Sequence, residues 1–386
     1  MKHADEYRNP RVARQLIAEI AELSRPWRDK APLRIMEFCG GHTHAIMRFG
    51  LRQALAPGVR LLSGPGCPVC VTADLDIDRA IALAQLPGVA VATFGDMIRV
   101  PGSQHNTGAR VSDPPSLPSS LQEARATGAD VRIVYSPLDA VALARKNPQL
   151  QIVMLGIGFE TTAPGIAASL LHAREEGLAN YSVLSLHKLT PPAMRGILDA
   201  GEAHIDAILG PGHVTAIVGA QAWRFLPGEY GLPCSVSGFE PLDILQAVAA
   251  LCRSHREGHP DVLNVYGRGV TEEGNVAAQH VLGKVFAVGP ASWRGLGEIP
   301  DSGLLLRPEF AELDAAQRFD LSAVSTGVGS EQRGCRCGEV LRGVIDPPEC
   351  PLFRVACTPA RPIGPCMVSA EGACAAHYQY GGALFG

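Results

Sequence analysis

Six of the eleven cysteines, Cys335, Cys337, Cys350, Cys357, Cys366 and Cys374, crowd into one glycine- and proline-rich stretch near the C-terminus. Soft thiolates select zinc, copper(I) or iron–sulfur clusters, and a loop-rich tail of about forty residues with few apolar side chains has little else to hold it together. A metal centre is therefore the leading expectation, and the compartment decides it against a disulfide framework. Met1 to Lys30 carries charges throughout and has no apolar run before a small-residue cleavage site. Nothing later reaches the roughly eighteen uninterrupted apolar residues needed to span a bilayer. A soluble, cytoplasmic protein is expected, where thiols stay reduced and clustered cysteines bind metal or do redox chemistry.

Two further groups of reactive residues lie upstream. The run Glu37-Phe-Cys39-Gly-Gly-His42-Thr43-His44 leaves a strand through a double glycine and enters a helix. Backbone N–H groups and the positive helix end should favour thiolate at Cys39, with His42 and His44 as nearby ligands or proton carriers. The run Gly64-Pro-Gly-Cys67-Pro-Val-Cys70 is a Cys-x-x-Cys loop. It reads either as half a metal site or as a dithiol pair; proline inside it and a helix expected over Thr72–Leu86 put the first thiol at a helix start and strengthen the redox reading. No second Cys-x-x-Cys or histidine pair follows at zinc spacing.

These groups must be held by a scaffold, and the sequence points to an α/β one. Asn9-Pro10 is an N-cap with proline at the first helical position, followed by the apolar stripe Val12, Leu16, Ile17, Ile20 and Leu23. Short apolar runs then alternate with helical patterns: Leu33–Cys39, Val59–Ser63, Val89–Phe94, Val131–Ser136, Gln151–Gly156, Tyr181–His187, Ile205–Leu209 and Ser235–Phe239. Such alternation indicates parallel sheets flanked by helices, with ligands bound beyond the carboxyl ends of the strands. A Pro/Ser/Gly/Asn-rich interruption at Pro101–Ser120 marks a boundary. The expected organisation is an N-terminal helix (1–32) packing on the rest, one α/β domain (33–120), a second (121–257), and a Cys-rich C-terminal domain (258–386) with a helix near Asn275–Phe286. Short echoes, Ser63–Cys67 with Leu209–His213 and Gly158–Glu160 with Gly238–Glu240, raise the idea of a duplicated unit. With 386 residues, 46% hydrophobic, the chain suffices for two or three cores. A net charge of −4 gives no footprint for nucleic acid or a membrane surface.

Taken together, Cys39-Gly-Gly-His-Thr-His44, Gly64–Cys70, Gly156-Ile-Gly-Phe-Glu-Thr-Thr-Ala-Pro164, Gly238-Phe-Glu-Pro-Leu-Asp243 and the tail Cys335-Arg-Cys337 through Gly364-Pro-Cys366 to Glu371-Gly-Ala-Cys374 resemble the HypD family of hydrogenase maturation factors. The resemblance runs from about Leu33 to Tyr380. It implies two α/β domains and a cluster-bearing third, acting as a monomer with the small partner HypC. On that scaffold a transient Fe(CN)2CO unit is built for the large subunit of a [NiFe] hydrogenase, with cyanide delivered by HypE after HypF. Cys39 matches the thiol that holds the iron, and Cys67 with Cys70 the family's dithiol.

The tail also resembles ferredoxin:thioredoxin reductase, in which a [4Fe–4S] cluster lies beside a redox disulfide. On the family pattern Cys335, Cys350, Cys357 and Cys374 ligate the cluster and Cys337 pairs with Cys366; spacing alone does not choose among the fifteen four-plus-two divisions. The implied electron route runs from the cluster through Cys337/Cys366 and Cys67/Cys70 to the iron at Cys39, with His42, Thr43 and Glu371 orienting or protonating nearby. Two rivals are a stand-alone cluster-dependent thiol–disulfide oxidoreductase, which has no use for Cys39, and a nucleotide enzyme resting on Gly156–Thr162. That loop lacks the third glycine of the dinucleotide fingerprint and the Gly-Lys-Thr of a P-loop.

Overall fold

The computed structural model describes residues 5–28, 30–103, 118–322, 324 and 334–382. Helix Pro10–Leu23 opens the fold, its first turn closed by the Asn9 side chain, which accepts from the Arg11 and Val12 N–H groups. Among the described residues nine parallel strands follow: β1 Leu33–Glu37, β2 Val59–Ser63, β3 Val89–Thr93, β4 Asp130–Ile133, β5 Gln151–Gly156, β6 Tyr181–Ser185, β7 Ala207–Pro211, β8 Cys234–Ser237 and β9 Val262–Asn264. They form a five-stranded sheet in the order β2-β1-β7-β8-β9 and a four-stranded sheet in the order β4-β3-β5-β6. Ile35 lies opposite Leu61 and Ala207; Val91 lies opposite Val131 and Val153.

Alternation along each strand sends side chains to two cores. In the larger sheet Leu33, Ile35, Leu61 and Leu209 face the opening helix and helix Pro241–Glu257. Met36, Leu62, Ile208 and Val236 face the other way, into a core shared with Val91, Val153, Leu155 and Leu184 of the smaller sheet. The opposite face of the smaller sheet, with Ala92, Ile152 and Met154, is covered by helices Pro137–Lys146 and Ala163–Glu175.

The sheets do not follow the boundary expected at Pro101–Ser120, of which residues 104–117 lie outside the described residues. β3, before that segment, pairs with β4 and β5 after it, while β7 and β8 return to β1. A loop-rich composition marks a break in local structure; strand pairing is non-local and need not respect it. The echoes, too, divide differently from a tandem repeat: Ser63–Cys67 and Leu209–His213 end strands of one sheet on either side of β1, and only the Gly-Phe-Glu pair falls in different sheets.

Beyond Gly258 the chain adds an antiparallel hairpin, β10 Phe286–Trp293 with β11 Gly297–Leu306, and then the cysteine-rich tail. The tail is docked rather than loose. Its last helix, Ala373–Tyr380, packs on helix Gly40–Arg48, and Asp346 accepts ion pairs from Arg52 (2.8 Å) and Arg60 (3.2 Å). Among the described residues no helix is long and apolar enough to cross a membrane.

Candidate functional site

The carboxyl ends of strands from both sheets open into one cavity of about 490 Å³. Cys39, Asp96, Gly158, Thr161, His213 and Glu371 are among its lining residues, so loops after β1, β3, β5 and β7 meet the tail there.

Cys39 stands at the N-cap of helix Gly40–Arg48 in extended backbone. Its N–H donates to Glu37 Oε2 (2.8 Å), and the Thr43 hydroxyl donates to the other carboxylate oxygen. The expected thiolate is not what the surroundings favour. Burial, together with the carboxyl groups of Glu371 and Glu37, pushes the Cys39 thiol up to about 12, and the N–H groups of Gly41 and His42 only partly offset this. Glu37 itself is pushed up to about 7 by burial, against the hydrogen bonds from Thr43 and Cys39. In the metal-free protein Cys39 is thus a thiol, and a cation must displace its proton to bind.

His42 does not reach the cavity wall. Its Nε2 lies 2.9 Å from the Gly238 carbonyl, its ring stacks on Phe239 at 4.6 Å, and burial pulls its pKa down to about 4. The Phe239 ring also stacks with His213 (3.8 Å), which does line the cavity. His44 turns to the tail, with Nδ1 3.4 Å from the Ala370 carbonyl and its ring edge-on to Tyr380. Glu371 closes over Gly40, where a Cβ would come within 2.4 Å of the Glu371 Cβ. Burial raises the Glu371 carboxyl, and Asp96 adds to it. From the sequence, Asp96, His213 and Glu37 carry no assignment to the site. Their common signal was position at strand ends.

The dithiol loop touches Cys39 directly. Gly40 N–H donates to the Gly66 carbonyl (2.9 Å), and a Cβ on Gly66 would lie 2.2 Å from Cys39 N. The next residue, Cys67, caps helix Pro68–Val71 and is joined to Cys70 by a disulfide, with Cα atoms 5.2 Å apart. Cys70 Sγ then lies 3.9 Å from the carbonyl of Pro365, whose neighbour Cys366 is joined to Cys337, Cα atoms 6.5 Å apart. Cys337 and Cys366 line a pocket with Cys335, Cys350, Cys357 and Cys374, walled by Val340, Leu352, Phe353 and Met367. Three cysteine groups distant in sequence thus form one contiguous series.

Among the described residues no three His, Cys, Asp or Glu side chains converge on a point that a single metal ion would occupy. The four unpaired tail cysteines instead surround an apolar pocket. Cys335 is pushed up to about 11, chiefly by burial, with Cys350 and Cys357 adding, and Cys374 is raised in the same way. Gly364 is a cradle, since a Cβ there would meet Cys335 Sγ at 2.6 Å. In number, softness and grouping these residues fit a [4Fe–4S] cube, which takes four thiolates. The Gly156–Thr162 loop is a helix entry: Thr162 Oγ1 donates to the carbonyls of Ile157 (3.1 Å) and Phe159 (3.3 Å), ahead of helix Ala163–Glu175.

The HypD family model, described as the hydrogenase formation hypA family, matches residues 11–381. The chain is 47% identical over 387 residues to the hydrogenase maturation factor HypD of Azotobacter vinelandii, covering 99% of this chain and 97% of that one. It is 44% identical to that of Rhodobacter capsulatus (99% of each chain) and 44% identical to that of Escherichia coli K12 (98% of each).

Proposed function

The chain belongs to the HypD family of hydrogenase maturation factors, and from that premise we propose that it is a thiol-based scaffold on which iron receives cyanide and carbon monoxide. The iron is cargo, held by Cys39 together with a thiol of the small partner HypC, and cyanide arrives as a protein thiocyanate on HypE. The observation that carries this reading is the contact series from Cys39 through Gly66 and Cys67–Cys70 to Pro365 and Cys337–Cys366.

Releasing cyanide from a thiocyanate sulfur consumes two electrons, which a dithiol supplies as it closes: R–SCN plus two protein thiols gives R–SH, HCN and a disulfide. Cys67 and Cys70, one residue from the Cys39 contact, are placed to do this, and Cys337/Cys366 stand behind them to return the pair to its dithiol form. Cys335, Cys350, Cys357 and Cys374 would hold the cluster, which when bound supplies electrons one at a time. Glu371 and Asp96 face the cavity as proton carriers, while Glu37 and Thr43 fix the Cys39 backbone. His42 buttresses Phe239 and so orients His213 rather than meeting the iron. A disulfide reductase of broader scope would leave the Cys39 cavity without a purpose.

The test is infrared spectroscopy of the anaerobic complex with HypC. Cys39→Ala should keep the brown colour and iron of the tail yet lose the cyanide and carbonyl bands; wild-type bands in that variant would place the iron elsewhere. Alanine at Cys335, Cys350, Cys357 or Cys374 should abolish the colour.

A further inference from the structure

Arg294 is a buried fixed charge beside the tail cysteines that no step above employs. It sits at the turn between β10 and β11, after Trp293, whose indole is buried and donates to Ser302 Oγ (2.8 Å). Its own side chain is only 9% exposed. The guanidinium donates to the carbonyls of Thr72 (2.9 Å) and Pro101 (2.9 Å) and pairs with Asp74 (2.7 Å), while its backbone N–H donates to the Val71 carbonyl (2.9 Å). Held from four directions, it lines a small cavity with Cys335, Cys337 and Pro365. At the next residue, Gly295, a Cβ would meet Gly338 Cα at 2.5 Å, so the turn is pressed against the start of the tail.

A buried arginine keeps its charge, and burying one is costly unless a partner needs it. Asp74 pairs with it directly, and Asp76 and Asp78 add negative charge nearby. Cys335 shares its cavity and carries charge only when it ligates metal. From this placement we infer that Arg294 is a positioning residue that sets the reduction potential of the tail cluster and stabilises its reduced state. The inference rests on the cluster reading given above. Four thiolates around a [4Fe–4S] cube leave a net negative charge that grows on reduction, so a fixed cation beside one ligand favours the electron-rich state. Asp74, of opposite sign, moderates it.

The experiment is an EPR-monitored redox titration of the anaerobic full-length protein. Arg294→Met and Arg294→Gln should make the cluster harder to reduce by about tenfold in the reduction equilibrium, a shift of about 59 mV to lower potential for one electron. Arg294→Lys should recover most of that shift, and Asp74→Asn should move the potential the opposite way. A purely structural role would not produce opposite signs. Unchanged potentials in the Met and Gln variants would overturn the inference, as would loss of the cluster from Arg294→Lys along with the neutral variants. Loss from the neutral variants alone would support it, since charge would then be needed to hold the cluster. A wild-type protein without iron or signal would instead remove the cluster reading beneath it.

Discussion

At Gly66 a single hydrogen atom determines how closely the Cys67–Cys70 loop approaches the turn that carries Cys39. A methyl group there would lie 2.2 Å from Cys39 N and 2.4 Å from its Cα, both backbone atoms that no rotamer change can move. Gly66→Ala should therefore push the loops apart, break the Gly40 to Gly66 hydrogen bond and cost about 1–3 kcal/mol in strain. The expected phenotype is that of Cys39→Ala: cluster iron retained, cyanide and carbonyl bands absent from the HypC complex. Wild-type bands from Gly66→Ala would mean that close apposition of the two loops is not required. The motif glycines and cysteines were legible because their chemistry is intrinsic to residue type. The ionisation of Cys39 was not, because it is set first by burial and then by Glu371 and Glu37, which reach it from the distant tail and from a strand.

Among the elements, the strands of the two parallel sheets were readable as apolar runs bounded by turns, and several were expected to run about two residues past where pairing stops. Phe38–Cys39, Leu186–His187 and Gly238–Phe239 have strand-like composition but leave the ladder, and Phe38 and Cys39 then line the cavity. The hairpin β10–β11 escaped notice because Gly289 and Pro290 interrupt it, with a register shift between Gly289 and Ala291. One buried acid shows how elements are fastened at the rim. Glu160, after β5, accepts from Thr190 N–H (2.7 Å) and Thr190 Oγ1 (2.8 Å), closing the start of helix Thr190–Ala200. Burial pushes it up to about 7 from an ordinary 4.5. The folded state therefore binds this proton more tightly than the unfolded chain. The resulting stability is fully present below pH 4.5 and is lost as pH rises to about 7, on the order of 3 kcal/mol in all. Glu160→Gln keeps an acceptor and carries no charge, so its thermal midpoint should match or fall below wild type at pH 5 and exceed it at pH 8. An identical difference at both pH values would rule the shift out.

For the whole molecule, what the sequence did not show is that the two sheets interleave. The chain lays down β1 and β2, builds β3 to β6 as a second sheet, and returns so that β7 enters beside β1. No local pattern records this, since each strand has the same apolar composition whichever neighbour it meets. The arrangement has a use: it brings the carboxyl ends of both sheets to one cavity, where Cys39 from one sheet faces Asp96 and Thr161 from the other. It also makes folding depend on distant partners. A fragment of residues 33–120 would hold β1 and β2 without β7, and β3 without β4 or β5. A fragment of residues 121–257 would hold β4 separated from β5 by the missing β3, and β7 and β8 without β1. Each fragment is left with isolated strand pairs and a lone strand, and a two-stranded sheet falls short of independent stability. Neither fragment should show a cooperative transition in a circular dichroism melt, whereas the full chain should. A cooperative melt from residues 33–120 alone would mean that β1 to β3 make a sheet without their observed neighbours, and the cavity would then have to form by docking of finished domains rather than by the weave of one chain.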